Sequence, residues 1–274
     1  MNIFTTSRPA SAIQRVNNQS NPEYGTQGFV YALGYVKPFF PVLNLEKQYK
    51  AALAVIKPEP KNYLDVFNYK VSPKGKPQLS YRPFLYLAQE ASWVFSINNV
   101  DTYLISPRTP TQLNALIQTS GNVDTPCILV GQLAQPGFTY DPEKPALPTA
   151  MLDHLIDQTQ ITSARYKNSS PADNALVALK PNIGRSDVQR ARNYFQSHFH
   201  QINEGEQGSA IVEQIAGVDF NVLEGDSNGN ISNKRDIVQI IVICPDRSRY
   251  ACSIDVTNMY PFVSCKLSPF AKSN

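Results

Sequence analysis

The sequence predicts an α+β fold of mixed and antiparallel sheets with a C-terminal β-meander and a few packed helices. Three observations carry that reading. "GFVYALGYVKPFFP" (28–41) is a run of aromatic and β-branched residues, the composition of a strand. "RSDVQRARNYFQSHFHQI" (185–202) places Val188, Ala191, Phe195, Phe199 and Ile202 on one stripe at three- and four-residue steps, the period of a helix. Segments 218–223, 236–244 and 249–256, then an extended piece from Phe262 to Leu267, follow one another as the strands of a meander.

Between these anchors each element has a local reason. In "NLEKQYKAALAVIKPEP", Leu45, Tyr49, Leu53 and Ile56 fall at helical spacing, Asn44 is the expected N-cap and Pro58 the stop. "VSPKGKPQ" (71–78) reads as an exposed loop. "SWVFSINNVDTYLIS" (92–106) reads as two strands joined through Asn98 and Asn99, residues that tolerate left-handed turn geometry. "PRTPTQLNALIQTS" opens a short helix with Pro110 and Thr111 in its first turn, and "PCILVGQL" (126–133) is a further strand. From Pro136 to Pro148 the chain is proline-rich and reads as a surface connection. Ser186 is the expected cap of the 185–202 helix.

The chain of 274 residues suits one large domain, or two subdomains divided near 134–150, after a flexible N-terminal arm over 1–24. A domain is expected over 25–270. A net charge of +3 with no run of Lys and Arg argues against nucleic acid as the main partner, because phosphate binding needs concentrated positive charge. "MNIFTTSRPASAIQRVNNQSNPEYG" has no apolar core like that of a signal peptide, and no stretch reaches the roughly 20 apolar residues that cross a bilayer. A cytoplasmic protein with reduced thiols and no membrane partner is expected.

The residues that suggest chemistry each have a plainer reading. Cys127, Cys244, Cys252 and Cys265 fit neither a disulfide framework nor a zinc ribbon. If "PDRS" (245–248) is a four-residue hairpin loop, Cys252 lies opposite Ile241 and shares a face with Ile243 and Ile254, while Cys244 points the other way. His198 and His200 would diverge by about 200° on a helix, so they do not chelate together. "DSNGN" (226–230) lacks the glycine and glutamate positions of a calcium loop and reads as a turn. No G-x-S-x-G elbow, phosphate loop or H-E-x-x-H occurs. No metal, cofactor or catalytic residue is expected from these patterns.

Four segments, "GFVYALGYVKPFFP", "WVFSINNVDTYLISPR", "DNALVALKPNIGRSDVQRARNYF" and "SIDVTNMYPFVSCKLSPF", resemble in order the C-terminal domain of the PatA/PatG cyanobactin maturation proteases. The resemblance spans roughly residues 28 to 270, and its most specific part is the D-V-T-x-x-[FY]-P-F-x-x-x-K-L-S-P pattern from Asp255 to Pro269. Such proteases process ribosomally made precursor peptides into macrocycles with a subtilisin-like domain that lies apart from this one. No histidine followed by glycine and no G-T-S-M-A-like serine motif occurs here, so protease activity is not carried over. "QLAQPGFTYDPEKPALPTAMLDHL" departs from the family pattern, and the cysteine expected there is missing.

The resemblance implies an accessory domain of peptide maturation, with a precursor peptide or a peptide-processing protease as partner. Its matched motifs carry Trp93, Tyr103, Arg108, Asp255, Lys266 and Ser268 as candidate peptide-binding residues. Each also has a structural reading: Trp93 and Tyr103 as sheet core, Arg108 and Asp255 as a buried ion pair, Ser268 as a shaper of the terminus. An alternative is a hydrolytic or group-transfer enzyme whose site would assemble Asp153, His154 and one of the cysteines. A weaker alternative is self-association into a homo-oligomer.

Overall fold

The computed structural model describes residues 28–56, 62–121, 125–136, 147–156, 181–202, 214–225, 231–243 and 247–270. The N-terminal arm, the "DSNGN" turn, Cys244 and His200 lie outside the described residues or side chains. The fold is α+β, with a closed five-stranded barrel and a four-stranded meander.

Strand β1 (Phe29–Phe39) organises the barrel. Its first half pairs antiparallel with β4 (Cys127–Pro136), from Phe29↔Gln132 to Gly34↔Cys127. Its second half pairs with β2 (Ser92–Ile97), from Tyr35↔Ser96 to Phe39↔Ser92. The change of partner falls at Gly34, where a side chain would run into the Ser96 carbonyl and the Phe95 ring. Hairpin β2–β3 turns at Asn98 and Asn99, both with positive φ (50° and 64°), as the Asn-Asn pair predicts. Strand β3 (Val100–Ser106) runs parallel to β5 (Pro148–Ile156) over three residue pairs, and β5 returns antiparallel along β4, closing the barrel.

The proline-rich stretch follows β4 in the chain and precedes β5, two strands that pair in the barrel. Strand β5 is an element that the local sequence pattern does not predict.

Four helices cover the barrel core: α1 (Leu43–Val55), α2 (Tyr63–Phe67), α3 (Leu85–Glu90) and α4 (Pro110–Thr119). Leu45, Ala52, Phe67, Leu87, Leu116 and Ile117 pack with Trp93, Phe95 and Ile105 in a single core. Helix α1 begins two residues earlier than expected. Val42 is its N-cap, without a side-chain bond, and Asn44 sits inside the helix.

Helix α5 (Asp187–Ile202) joins the barrel to the meander of β6 (Gln214–Gly225), β7 (Ile231–Ile243), β8 (Arg249–Asp255) and β9 (Phe262–Pro269). Ala191, Phe195 and Ile202 pack on Val238, Ile240, Cys252 and Ile254, so the apolar stripe faces the meander. Ser186 caps it, its Oγ accepting from Gln189 N at 3.3 Å. The polar side of α5 faces the barrel instead of water. Asn193 Nδ2 donates to the Tyr31 carbonyl (2.6 Å) and exchanges amide hydrogen bonds with Asn182.

Residues 182–184 pair with the stretch of β1 that faces α5, through Leu33–Asn182 and Tyr31–Gly184 backbone bonds. Gly184, at φ +59°, lies so close to the Tyr31 backbone that no side chain fits. Strands β1 and β4 are thus buried on both faces, which explains their continuous apolar sequence.

The meander register differs by one residue from expectation. Ile243 pairs with Arg249 and Ile240 with Cys252, so the loop spans 244–248, with Arg247 in the left-handed region (φ 66°). Cys252 accordingly shares its face with Val238, Ile240 and Val242, not with Ile241 and Ile243.

Candidate functional site

A cleft of about 760 Å³ lies where α3, β2, the end of β3 and the start of α4 meet. Its wall is apolar, built from Leu85, Ala88, Trp93, Leu104, Ile105 and Leu113. Its rim is polar, with Gln89, Ser106, Thr109, Asn114 and Thr149, and Arg82 and Arg108 line it as well.

Local structure fixes each of these groups. The Trp93 indole Nε1 donates to the Ala88 carbonyl at 3.0 Å, and its ring meets Phe67 edge-on at 6.1 Å. Trp93 is 2% exposed, a wall of the cleft rather than a projecting side chain. Arg82 Nη1 donates to Asn68 Oδ1 (3.0 Å) and Asn114 Oδ1 (2.9 Å), tying the end of α2 to α4. Arg108 is exposed, and its backbone N–H donates to Gln112 Oε1 at 2.6 Å.

Gln112 uses its whole amide. The oxygen accepts from the N–H groups of Arg108 and Thr109, completing a capping box with the Thr109 hydroxyl. The NH2 donates to the carbonyls of Leu152 (2.8 Å) and Asp153 (3.0 Å), satisfying part of β5. One side chain thereby holds the start of α4, the Arg108 loop and a barrel strand together.

The six residues carried over from the resemblance separate into groups. Trp93 and Arg108 meet in the cleft. Tyr103 is buried in the barrel core, its hydroxyl donating to the Ile183 carbonyl at 2.8 Å, where it anchors the 182–184 segment. Asp255, Lys266 and Ser268 lie on the meander, with Lys266 and Ser268 exposed on β9.

Arg108 and Asp255 do not pair. The buried Asp255 carboxylate binds Arg235 instead (Nη2 2.6 Å, Nε 2.7 Å), because β7 and β8 are neighbours while Arg108 belongs to the barrel. Burial pushes the Asp255 carboxyl up, but hydrogen bonds from Thr257 and the Arg235 charge outweigh it and hold it below its ordinary value.

Asp153 and His154 are adjacent on β5, with His154 Nδ1 3.0 Å from Asp153 Oδ2 and its ring stacked on Tyr260 at 5.6 Å. No described cysteine joins them. Cys127 is in the barrel core, on the face of β4 opposite that of Val130, the partner of His154. Cys252 is buried under α5, its thiol pushed up to about 12 by burial, and Cys265 is exposed on β9. His198 stacks on Tyr194 at 4.1 Å, and burial lowers its basicity, with an opposing pull from the Tyr194 carbonyl and a further lowering by His154.

Sequence reasoning missed Arg82, Gln112 and Asn114. Thr109-x-x-Gln112 is itself a capping-box signature, so Gln112 had a local signal. Arg82 and Asn114 come together only through the packing of α2, α3 and α4.

The family model for the PatG domain matches residues 29–185. A solved structure described as a PatG domain of unknown function aligns over 89% of this chain and 99% of its own, with a TM-score of 0.58 and 14% identity. That likeness is one of fold. No curated protein matches the chain.

Proposed function

The chain belongs to the PatG domain family, and on that premise we propose that it is a non-catalytic binding module in the maturation of ribosomally synthesised, cyanobactin-like peptides. It works in the cytoplasm by holding a precursor peptide. The observation that carries this reading is the cleft of about 760 Å³, whose volume and mixed lining suit a ligand of several residues. The separation of His154 from each described cysteine favours binding over nucleophilic chemistry.

A second reading, docking of a processing enzyme, is favoured by β9. This strand ends the meander, and Ser264, Lys266 and Ser268 are exposed along it. An extended segment adds to such an edge through main-chain hydrogen bonds.

The test is a tagged pull-down of this chain from its host, with mass spectrometry of the bound material, run beside Arg108→Gln and Lys266→Glu. Recovery of a short precursor peptide, reduced by Arg108→Gln, supports the first reading. Recovery of a subtilisin-like protease, reduced by Lys266→Glu alone, supports the second. Recovery of neither overturns both.

A further inference from the structure

We propose that the cleft selects an acidic peptide segment, with Arg82 and Arg108 receiving a side-chain carboxylate while an adjoining apolar side chain lies against Trp93. This deepens the peptide-holding reading and rests on it.

The charge of the cleft is one-sided. Among the described residues that line it, Arg82 and Arg108 are the charged ones, and no Asp, Glu or Lys accompanies them. A half-buried arginine is usually accompanied by a carboxylate, because an isolated charge is costly to remove from water. Arg82 is held by two amide oxygens, from Asn68 and Asn114. Those neutral acceptors fix the direction of the guanidinium without cancelling its charge. Among the described residues Arg82 is therefore oriented without a carboxylate bound to it, a pre-organised receptor for an anion.

Arg108 completes the pair from the rim. Its backbone is pinned by Gln112, and Pro107 and Pro110 flank its loop. The ordering cost of closing its long side chain on a ligand is then confined to that side chain. The start of α4, at Thr109 and Pro110, opens onto the same rim and adds the positive end of a helix.

The rest of the cleft argues against a lone small anion as its occupant. Its volume far exceeds that of one carboxylate, and Leu85, Ala88, Trp93 and Leu104 form an apolar wall beside the arginines. Burial of an apolar side chain there, together with a charge-assisted bond to guanidinium, matches a peptide in which acidic and apolar residues are neighbours.

Trp93 is the one tryptophan of the chain, so its emission reports on this cleft directly. Two pools of tryptophan-free octapeptides, acetylated and amidated, would be titrated against the full chain. Both are built from Ala, Val, Leu and Phe, with Glu in one pool and Gln in the other. A third pool repeats the Gln set with a free C-terminal carboxylate. The expected result is a change in Trp93 emission with the Glu pool at a concentration at least about tenfold below that needed for the Gln pool. Arg108→Gln, at an exposed site, should abolish most of that advantage, and Arg82→Gln should do the same.

Equal binding of the Glu and Gln pools would overturn the acidic assignment and leave the peptide-holding reading in place. Binding by neither pool would overturn both. Binding confined to the free-carboxylate pool would overturn the assignment to an acidic segment in favour of a chain end.

Discussion

Replacing Arg190 with methionine removes the charge that ties α5 to the meander while keeping most of the side chain's length. Arg190 is 2% exposed. Its Nη2 donates to Asp187 Oδ1 (2.7 Å) and to the Val256 carbonyl (2.6 Å), its Nη1 donates to the Asn258 carbonyl (2.9 Å), and the guanidinium lies 5.7 Å over the Phe29 ring. Each bond to a charged group is worth about 1.5–3 kcal/mol net, but the three share one guanidinium and do not add. The substitution leaves the Asp187 carboxylate without its ion pair and the Val256 carbonyl without its donor. Breaking a buried charged set from one side costs about 3–5 kcal/mol, and that is the expected loss. With a urea slope of about 3 kcal/mol/M, the unfolding midpoint should fall by roughly 1–1.7 M. Trp93 emission and far-ultraviolet circular dichroism would follow the transition, their coincidence licensing a two-state treatment. Arg190→Lys should recover only a small part, since an ammonium lacks the fork that reaches three acceptors. A loss below about 1 kcal/mol, or full recovery by lysine, would refute the reasoning.

Gln112→Ala removes half of a capping box and two bonds onto β5, an expected loss of about 2–3 kcal/mol in urea unfolding. Gln112→Glu should be as harmful at neutral pH, because a carboxylate cannot donate to the Leu152 and Asp153 carbonyls; a change under about 0.5 kcal/mol for both would show that the bridge is dispensable. His198 is half-buried, and its basicity in the fold lies below the ordinary value of 6.5 because burial disfavours the charged form. The unfolded chain therefore takes up a proton first as pH falls, so stability should drop as pH falls below about 6.5 and be unaffected by this group above it. Urea midpoints between pH 7.5 and 5.5 would check this, and an equal slope in His198→Phe would remove His198 as its cause. Asp255 acts in a separate window, its contribution fading only as pH falls below the ordinary 3.8.

What the sequence made legible was local. The Asn98–Asn99 turn follows from residues that accept positive φ, and α5 follows from the period of Val188, Ala191 and Phe195. The closing strand β5 escaped because its pairing is long-range, and "PTAMLDHLI" carries neither clean alternation nor a β-branched run. The slip between β7 and β8 came from one residue of loop length, which inverts every assignment of face. Arg190 and Asn193 were illegible for a different reason. On a helix with one apolar stripe, polar residues ordinarily face water, but α5 lies between the barrel and the meander, so its polar face binds backbone carbonyls. Trp93 and Arg108 came from the family resemblance, whereas Arg82 and Asn114 required the packing of three short helices.

The two arginine sites separate what stabilises the fold from what the cleft recognises. Arg190 touches α5, Phe29 and the turn after β8, and it shares no residue with the cleft wall. Arg108 lies on an exposed rim with its backbone already pinned by Gln112, so losing its side chain costs the fold little. Arg190→Met should then lower the urea midpoint while leaving peptide affinity under native conditions unchanged, because the cleft stays assembled as long as the chain is folded. Arg108→Gln should weaken the Glu-containing pool while leaving the midpoint unchanged. A variant set in which affinity and stability fell together at both positions would mean that the barrel and meander act as one coupled receptor, and the cleft would no longer be separable from the rest of the fold.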